Sequence, residues 1–329
     1  MKVETQNRLP EQATVVNQLP PISVVICTYN RVDRLLLALE ALTNQTLPSK
    51  EFAVLVVDNR STDNTFVICK SFQERFANFR YIYEPIQGLS KARNTGWQTA
   101  QSSYIAYLDD DAIPCKEWAE AILTAFETVQ PKPVCVGGPI HPVWEIPRPD
   151  WITPTLETLF TTLDGGNTPR WFKENEYPWG ANVIYRRDAL EKAGGFCEQL
   201  GRKGQSLLSG EETLLNATLK AQGEGFYYSP QALVSHWVPK ERINPQWLIQ
   251  RSYWQGYSAA LFDNILGKSS LYQRFSSIWH LLKRTVQIPK VIIQYLLNKQ
   301  NRERLTLSEQ VWLILSWQLG YLSKVWRDS

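Results

Sequence analysis

Apolar and polar positions alternate between two patterns in the first third of the chain. Four short, continuous apolar runs are typical of buried strands: Ile22–Cys27, Phe52–Val57, Phe79–Tyr83 and Tyr104–Leu108. Between the first two runs, Leu35, Leu39 and Leu42 recur at the spacing of one helix face. Two more helices are predicted, one from about residue 64 to 76 and one within 88–100. This alternation predicts an α/β fold with a mixed, mainly parallel sheet flanked by helices.

Polar clusters stand where three of these predicted strands end. They are Thr28-Tyr29-Asn30, Asp58-Asn59 and Asp109-Asp110-Asp111. Parallel strands bring their carboxyl ends to one edge of a sheet, and ligands bind in the crevice beyond that edge. The sequence therefore predicts a single crevice at which these side chains meet, suited to a nucleotide together with a metal ion.

The acidic triplet Asp109-Asp110-Asp111 is the most informative of these clusters. Three neighbouring carboxylates repel one another, and a hard divalent cation such as Mn²⁺ or Mg²⁺ would neutralise them while leaving coordination positions for substrate phosphates. The alternative interpretation is a solvated acidic turn that caps the following helix, where Asp is common.

Neither of the common Gly-rich phosphate loops is present. No GxGxxG follows the first strand, and no GxxxxGK[ST] occurs in the chain. Phosphates would then be held by the metal ion and by basic side chains, for which Lys91 and Arg93 are candidates. The alternative is a Ser90-capped helix whose Lys and Arg are solvated.

Composition narrows the class of protein. The 329 residues carry a formal net charge of +3, and the five cysteines form no CxxC pair. Neither a disulfide framework nor a zinc knuckle is indicated, and we expect no nucleic-acid partner. The odd number and wide spacing of the cysteines fit a reducing, cytoplasmic setting. The polar start of the chain and the lack of a long apolar run predict neither a signal peptide nor a membrane span.

Four motifs in order resemble family 2 glycosyltransferases: Val24-Val-Ile-Cys-Thr-Tyr-Asn-Arg31, Val56-Val-Asp-Asn-Arg-Ser-Thr-Asp63, Gly88-Leu-Ser-Lys-Ala-Arg-Asn-Thr-Gly96 and Tyr107-Leu-Asp-Asp-Asp-Ala-Ile-Pro114. The resemblance covers roughly residues 20–260. It implies the GT-A fold and an inverting enzyme that uses a nucleotide-sugar donor.

The same resemblance implies roles for single residues. Thr28, with Tyr29 and Asn30 beside it, would line the nucleotide-sugar site, and Asp58 would bond the base, commonly uracil. Arg93 would lie near the base or the diphosphate. The acidic triplet would be the family's DxD element, in which Asp109 and Asp110 approach ribose and metal and Asp111 ligates Mn²⁺ or Mg²⁺.

An acidic pair in the second half suits the reaction. Inverting sugar transfer needs a carboxylate that accepts the proton of the acceptor hydroxyl. The family supplies it from an acidic pair, usually Glu-Asp, that opens a helix after a Gly; here the pair is Glu211-Glu212. By register Glu212 matches the usual base, with Glu211 as second choice. Alternatively, two acids only stabilise a helix N-terminus through its dipole, by about 0.3–1 kcal/mol each.

His236 follows the last predicted core strand. In the resembling enzymes a histidine there completes the metal shell or contacts the diphosphate, and a neutral imidazole is a suitable ligand. The alternative is a hydrogen-bonded structural histidine. Arg242 is a candidate for holding the leaving diphosphate.

The predicted organisation has three parts. Residues 1–20 form a polar arm; residues 21–262 form the GT-A domain, with a nucleotide-binding half (21–115) and an acceptor half (116–262); residues 263–329 form a helical extension. Within the extension, 277–298 and 306–326 have amphipathic helical spacing, and the chain from Lys268 to its end carries ten Lys/Arg against three Asp/Glu. These helices either pack on the domain or on a second subunit, or dock on an anionic membrane surface at its inner face.

The expected reaction moves a sugar to a glycan or lipid-linked acceptor, in polysaccharide or cell-surface glycan synthesis. Two other classes stay open. A sugar nucleotidyltransferase would normally carry a Gly-rich basic loop after the first strand, where this chain has Thr28-Tyr29-Asn30. A catalytically inactive glycan-binding or scaffold relative would have no reason to retain mutually repelling carboxylates.

Overall fold

The computed structural model describes residues 19–204, 206–268 and 307–327, with scattered positions between 275 and 305. The predicted alternation of strands and helices in the first third is confirmed. Its elements are β1 (Ile22–Thr28), α1 (Val32–Thr43), β2 (Phe52–Asp58), α2 (Thr65–Arg75), β3 (Phe79–Tyr83), α3 (Leu89–Thr99) and β4 (Tyr104–Leu108).

The second half of the chain is less regular. Its elements are β5 (Ala112–Pro114), α4 (Trp118–Thr128), β6 (Cys135–Gly137), β7 (Ile140–Trp144), α5 (Pro154–Glu157), β8 (Arg170–Trp171), β9 (Asn182–Arg186), α6 (Arg187–Ala193), α7 (Glu211–Ala221), β10 (Phe226–Tyr228), β11 (Val234–Val238), α8 (Pro245–Ile265) and α9 (Leu307–Arg327). It contributes strands to the main sheet and builds a small second sheet.

Among the described residues, eight strands form the main sheet in the order β3-β2-β1-β4-β9-β6-β10-β8. The four strands from the first third, β3, β2, β1 and β4, are parallel, whereas β9 runs antiparallel between β4 and β6. The second sheet has the order β5-β11-β7. Because β5 starts directly after the acidic triplet, β11 is brought against that turn.

The hydrophobic core lies on both faces of the main sheet. Alternate residues of β1 point to opposite faces, so Val24 and Ile26 pack with α1, α2 and α4, while Val25 packs with α3, α6 and α7. Such two-sided burial explains why β1 reads as a continuous apolar run rather than as an alternating one.

The C-terminal helices α8 and α9 pack closely on each other. A Cβ added at Gly256 of α8 would come within 1.8 Å of the Trp317 carbonyl oxygen, and one added at Gly320 of α9 would come within 1.8 Å of the Tyr253 carbonyl oxygen. The backbones touch there, which supports the packing interpretation for 307–327. Most of 277–298 lies outside the described residues. Helix α8 crosses position 262, and the predicted domain limits remain predictions.

No helix among the described residues combines the length and apolarity needed to cross a membrane. The Trp residues of β7 and of the segment that follows it pack mainly inward. Trp144 and Trp151 pack with Phe160 in a satellite core, and Trp179 packs against the main core. Trp171 is partly exposed at the sheet edge, where its ring meets that of Tyr227 edge-on.

Candidate active site

The acidic triplet forms a tight turn between β4 and β5, closed by a 3.1 Å bond from the Ala112 amide to the Asp109 carbonyl. Asp109 is half-buried, whereas Asp110 and Asp111 are buried. Thr28 at the end of β1 donates its hydroxyl to Asp110 Oδ2 over 2.8 Å. The ends of β1 and β4 therefore meet, as the strand pattern predicts.

Arg31, three residues after the end of β1, neutralises part of this charge. Its Nη1 lies 3.1 Å from Asp110 Oδ1 and 2.7 Å from Asp111 Oδ2. Since Arg31 remains about one-third exposed, it lies at the rim of the triplet rather than beneath it. Sequence reasoning assigned this residue no role, although its place directly after the Thr28-Tyr29-Asn30 cluster was a usable signal.

His236 reaches the triplet from β11, where it is paired in register with Ala112 of β5. Its Nε2 lies 3.1 Å from Asp111 Oδ1, and it is 2 % exposed. The Nδ1 atom is buried and has no hydrogen-bond partner among the described residues. The structure thus brings the predicted histidine to the predicted carboxylate.

The ligand atoms of Asp109, Asp111 and His236 all lie within 4.8 Å of one another. Two carboxylates and one imidazole, with open space on the remaining side, make a donor set that fits a divalent ion such as Mn²⁺ or Mg²⁺. We call these three residues, with Asp110 and Arg31, the metal end of the site.

Burial and neighbouring charges separate the two buried aspartates. Burial raises the pKa of Asp110 to about 6, with Asp111 adding to the effect and Arg31 opposing it. Burial acts on Asp111 in the same direction, yet His236, Arg31 and Arg242 together outweigh it and hold its pKa well below the ordinary value. Of these two buried aspartates, Asp111 is therefore the one that stays ionised more firmly.

Arg93 of α3 connects the acidic turn to the acidic pair. Its side chain is 4 % exposed, and its Nη1 lies 2.7 Å from Glu211 Oε1, while Nη2 lies 3.5 Å from Asp109 Oδ1. The absence of a side chain at Gly180 leaves room for this guanidinium, because a Cβ there would come within 2.5 Å of Nη2. Arg93 is thus placed between the two groups of carboxylates rather than in the solvent.

Glu211 and Glu212 open helix α7, as predicted. The Glu211 side chain is 4 % exposed and bonded to Arg93, whereas the Glu212 side chain is 14 % exposed and its Oε2 lies farther from Arg93 Nη1, at 3.9 Å. Burial raises the pKa of Glu211 to about 7; the Glu212 charge adds to this and Arg93 opposes it. Glu212 is thus the freer carboxylate. We call Arg93, Glu211 and Glu212 the base end.

Both ends line one open cleft of about 1120 Å³. Most of the predicted site residues are among its lining: Thr28, Tyr29, Arg93, Asp109, Asp110, Asp111, Glu211, Glu212 and His236. Arg242 lines it as well.

Three candidates from the sequence do not line this cleft: Asp58, Asn30 and Lys91. Asp58 is buried and accepts bonds from the Ser61 amide and the Tyr81 hydroxyl, each over 2.7 Å, and its neighbour Asn59 lines the cleft instead. Asn30 adopts a positive φ of 54° and accepts a bond from the Thr62 amide over 2.7 Å. The binding roles of Asp58 and Asn30 remain predictions.

Lys91, the other phosphate candidate, faces Glu198 at 3.6 Å and is not among the lining residues. Besides Arg31, two cleft-lining arginines were missed from the sequence, Arg202 in the loop before α7 and Arg251 in α8. Arg251 stands within an ordinary helical pattern, and nothing in the sequence marks it as facing a site.

Comparisons with known proteins identify the family of the chain. A family model described as "Glycosyl transferase family 2" matches residues 23–194. The chain is 28% identical over 256 residues to the glucosyl-dolichyl phosphate glucuronosyltransferase of Haloferax volcanii, covering 76% of this chain and 79% of that protein. It is 26% identical over 244 residues to the succinoglycan biosynthesis protein ExoM of Rhizobium meliloti, covering 73% and 74%.

Among solved structures, the fold is similar to that of the mannosyltransferase PcManGT from Pyrobaculum calidifontis, solved with GDP-Man and Mn²⁺. The TM-score is 0.61 at 18% identity, and the match covers 95% of this chain and 89% of that one. This likeness confirms the GT-A fold predicted from the sequence.

Proposed function

The chain belongs to glycosyl transferase family 2, and from this premise we propose that it is an inverting enzyme that moves a sugar from a nucleotide diphosphate sugar, with UDP as the nucleotide, to an acceptor hydroxyl. The observation that carries the proposal is the meeting of two groups of carboxylates on one cleft. Asp109 and Asp111 stand with His236 at one end, Glu211 and Glu212 stand at the other, and Arg93 contacts both groups.

The metal end would hold the donor diphosphate. Asp109, Asp111 and His236 would bind Mn²⁺ or Mg²⁺, which, when bound, supplies positive charge to the leaving phosphate oxygens. Arg242 lines the same part of the cleft and adds a guanidinium for those oxygens. Thr28 and Tyr29 would line the nucleotide side, with Asn30 and Asp58 supporting the loops behind them.

The base end would activate the acceptor. Glu212 would accept the proton of the acceptor hydroxyl while that oxygen forms a bond to the anomeric carbon and the bond from this carbon to the diphosphate breaks. The freedom of Glu212 and the direct bond between Glu211 and Arg93 favour this assignment over Glu211. Attack from the face opposite the leaving group inverts the anomeric centre.

The acceptor class is supported by the relatives. The Haloferax protein is named for a glucosyl-dolichyl phosphate substrate, and the Rhizobium protein for succinoglycan biosynthesis. We therefore propose a glycan or lipid-linked acceptor, with the reaction serving polysaccharide or cell-surface glycan synthesis.

Donor turnover tests this function without knowledge of the acceptor. We expect slow, Mn²⁺-dependent hydrolysis of one UDP-sugar from a panel, measured as UDP release and abolished by EDTA. Pyrophosphate-dependent breakdown of the donor would instead identify a sugar nucleotidyltransferase. An absence of turnover with every donor, together with an absence of nucleotide binding, would favour a scaffold protein and contradict the proposal.

A further inference from the structure

Three further arginines line the cleft: Arg202, Arg242 and Arg251. They come from separate elements, the loop before α7, the turn after β11 and helix α8. None of the ion pairs within 4.0 Å among the described residues involves any of them. This distinguishes them from Arg31 and Arg93, which face the same cleft but are paired with carboxylates.

Arg251 is the most constrained of the three. It is 8 % exposed, and its Nη1 donates to the Leu207 carbonyl over 3.0 Å. Its Nε is buried without a partner among the described residues. The edge formed by Nε and Nη2 is the edge that grips a carboxylate or phosphate with two parallel bonds, and here it makes none.

The charges of the cluster act on one another. Burial lowers the pKa of Arg251 to about 10, and the charge of Arg202 adds to this; the same two causes lower the pKa of Arg242 to about 10. A buried guanidinium without a counter-charge destabilises a protein. An anion bound between Arg202 and Arg251 would remove that penalty.

The position of the cluster indicates which molecule carries the anion. Arg242 interacts electrostatically with Asp111 and Asp109, and hence faces the metal end, where the donor diphosphate is proposed to bind. Arg251 instead interacts with Glu212 and Glu211 at the base end. Since the base must touch the acceptor hydroxyl, a group beside it belongs to the molecule that carries this hydroxyl.

We propose that Arg202 and Arg251 form a binding site for a phosphate ester on the acceptor, beside Glu212. The site rests on the proposed function, because Glu212 locates the acceptor. The unused Nε–Nη2 edge of Arg251 matches two phosphate oxygens, and Arg202 supplies a second positive charge from the loop before α7. The phosphate either links the acceptor sugar to a lipid or belongs to a soluble phosphorylated glycan.

Binding to enzyme saturated with UDP and Mn²⁺ tests the site, because UDP then fills the diphosphate position. Calorimetry with inorganic phosphate and with citronellyl phosphate should detect binding in the wild type. Arg251→Gln and Arg202→Gln should each weaken it about tenfold or more, with UDP affinity unchanged. Arg80→Gln, a change at an exposed arginine on β3, is the matched control and should have no effect.

The outcomes separate the possibilities. Tighter binding of citronellyl phosphate than of inorganic phosphate would identify a lipid-linked acceptor, and equal binding a soluble phosphorylated one. The proposal is overturned if neither probe binds or if probe binding survives both substitutions. It is also overturned if the substitutions weaken only the binding of UDP-glucuronate, measured against that of UDP-glucose, because the arginines would then hold a carboxylate of the donor. Should Arg251→Gln fail to fold, Arg202→Gln decides. If the wild-type protein does not bind UDP, the proposed function itself is contradicted.

Discussion

The two ends of the cleft balance their carboxylates in different ways. At the metal end, Asp110 and Asp111 share Arg31, and Asp111 also faces the imidazole of His236. At the base end, Glu211 and Glu212 have one arginine, Arg93, which also lies near Asp109. His236, Arg31 and Arg242 keep Asp111 ionised for a cation, whereas burial and the Glu212 charge raise the pKa of Glu211 to about 7 in spite of Arg93.

This difference matches two kinds of chemistry. A carboxylate that binds a metal must be ionised at all working pH values, whereas a general base works best with a pKa near the operating pH. The number and position of neighbouring cations differ between the ends, so Asp111 is held ionised, whereas the raised pKa belongs to Glu211, the second choice for the base and the neighbour of Glu212. The following predictions test this contrast, beginning with the largest expected effect.

Asp111→Asn should remove the metal end while leaving the base end intact. We expect donor turnover to fall by about 10⁴-fold, since a bound metal contributes several kcal/mol to the stabilisation of the leaving group. Turnover with Mn²⁺ is the measurement, and urea unfolding checks that the variant folds. Asp188→Asn, at an exposed aspartate of α6, is the control. Full Mn²⁺-dependent turnover in Asp111→Asn would refute the metal assignment.

Glu212→Gln should remove the base while leaving the metal end intact. Transfer to an acceptor should fall by about 10²–10⁴-fold in kcat, the usual contribution of a general base, with the Kd for UDP and Mn²⁺ unchanged. Glu211→Gln keeps the Glu212 carboxylate, so its kcat should fall less than that of Glu212→Gln. The comparison is made by single-turnover kinetics. A larger loss in Glu211→Gln than in Glu212→Gln would reverse the assignment of the two residues.

Arg93→Met should weaken the fold through the base end. Removing one partner of a buried ion pair leaves an uncompensated charge, and we expect a loss of about 3 kcal/mol in the free energy of unfolding. Arg75→Met breaks the exposed pair with Glu40, at 3.1 Å, and should change the free energy of unfolding by less than about 1 kcal/mol. Urea titrations give both values. Equal losses in the two variants would mean that burial does not distinguish these pairs.

The parts of the fold that sequence reasoning predicted best are those with local signals. The limits of β3 and β4 match the predicted runs, and the acidic triplet stands at the end of β4 as expected. The antiparallel insertion of β9 between β4 and β6, and the pairing of β11 with β5, depend on contacts between distant segments. Short strands of three to five residues carry too little pattern to reveal such pairing.

The site shows the same division between features that are local in the sequence and contacts between distant segments. Asp109-Asp110-Asp111 and Glu211-Glu212 are contiguous, so their charges are visible in the sequence. Arg251 becomes a site residue only because α8 packs against the loop before α7, where the Leu207 carbonyl accepts its Nη1. Asp58, selected through a family resemblance, is bonded to Ser61 and Tyr81, which a single sequence does not reveal.

The most direct test of the central claim is a calorimetric titration of UDP, GDP, CDP and dTDP, each with and without Mn²⁺. The account predicts that UDP binds and that this binding requires Mn²⁺. It also predicts that Asp111→Asn abolishes the Mn²⁺-dependent binding of UDP. Metal-independent binding of any of the four, or binding of none, would contradict the claim that the metal end of the cleft holds a nucleotide diphosphate.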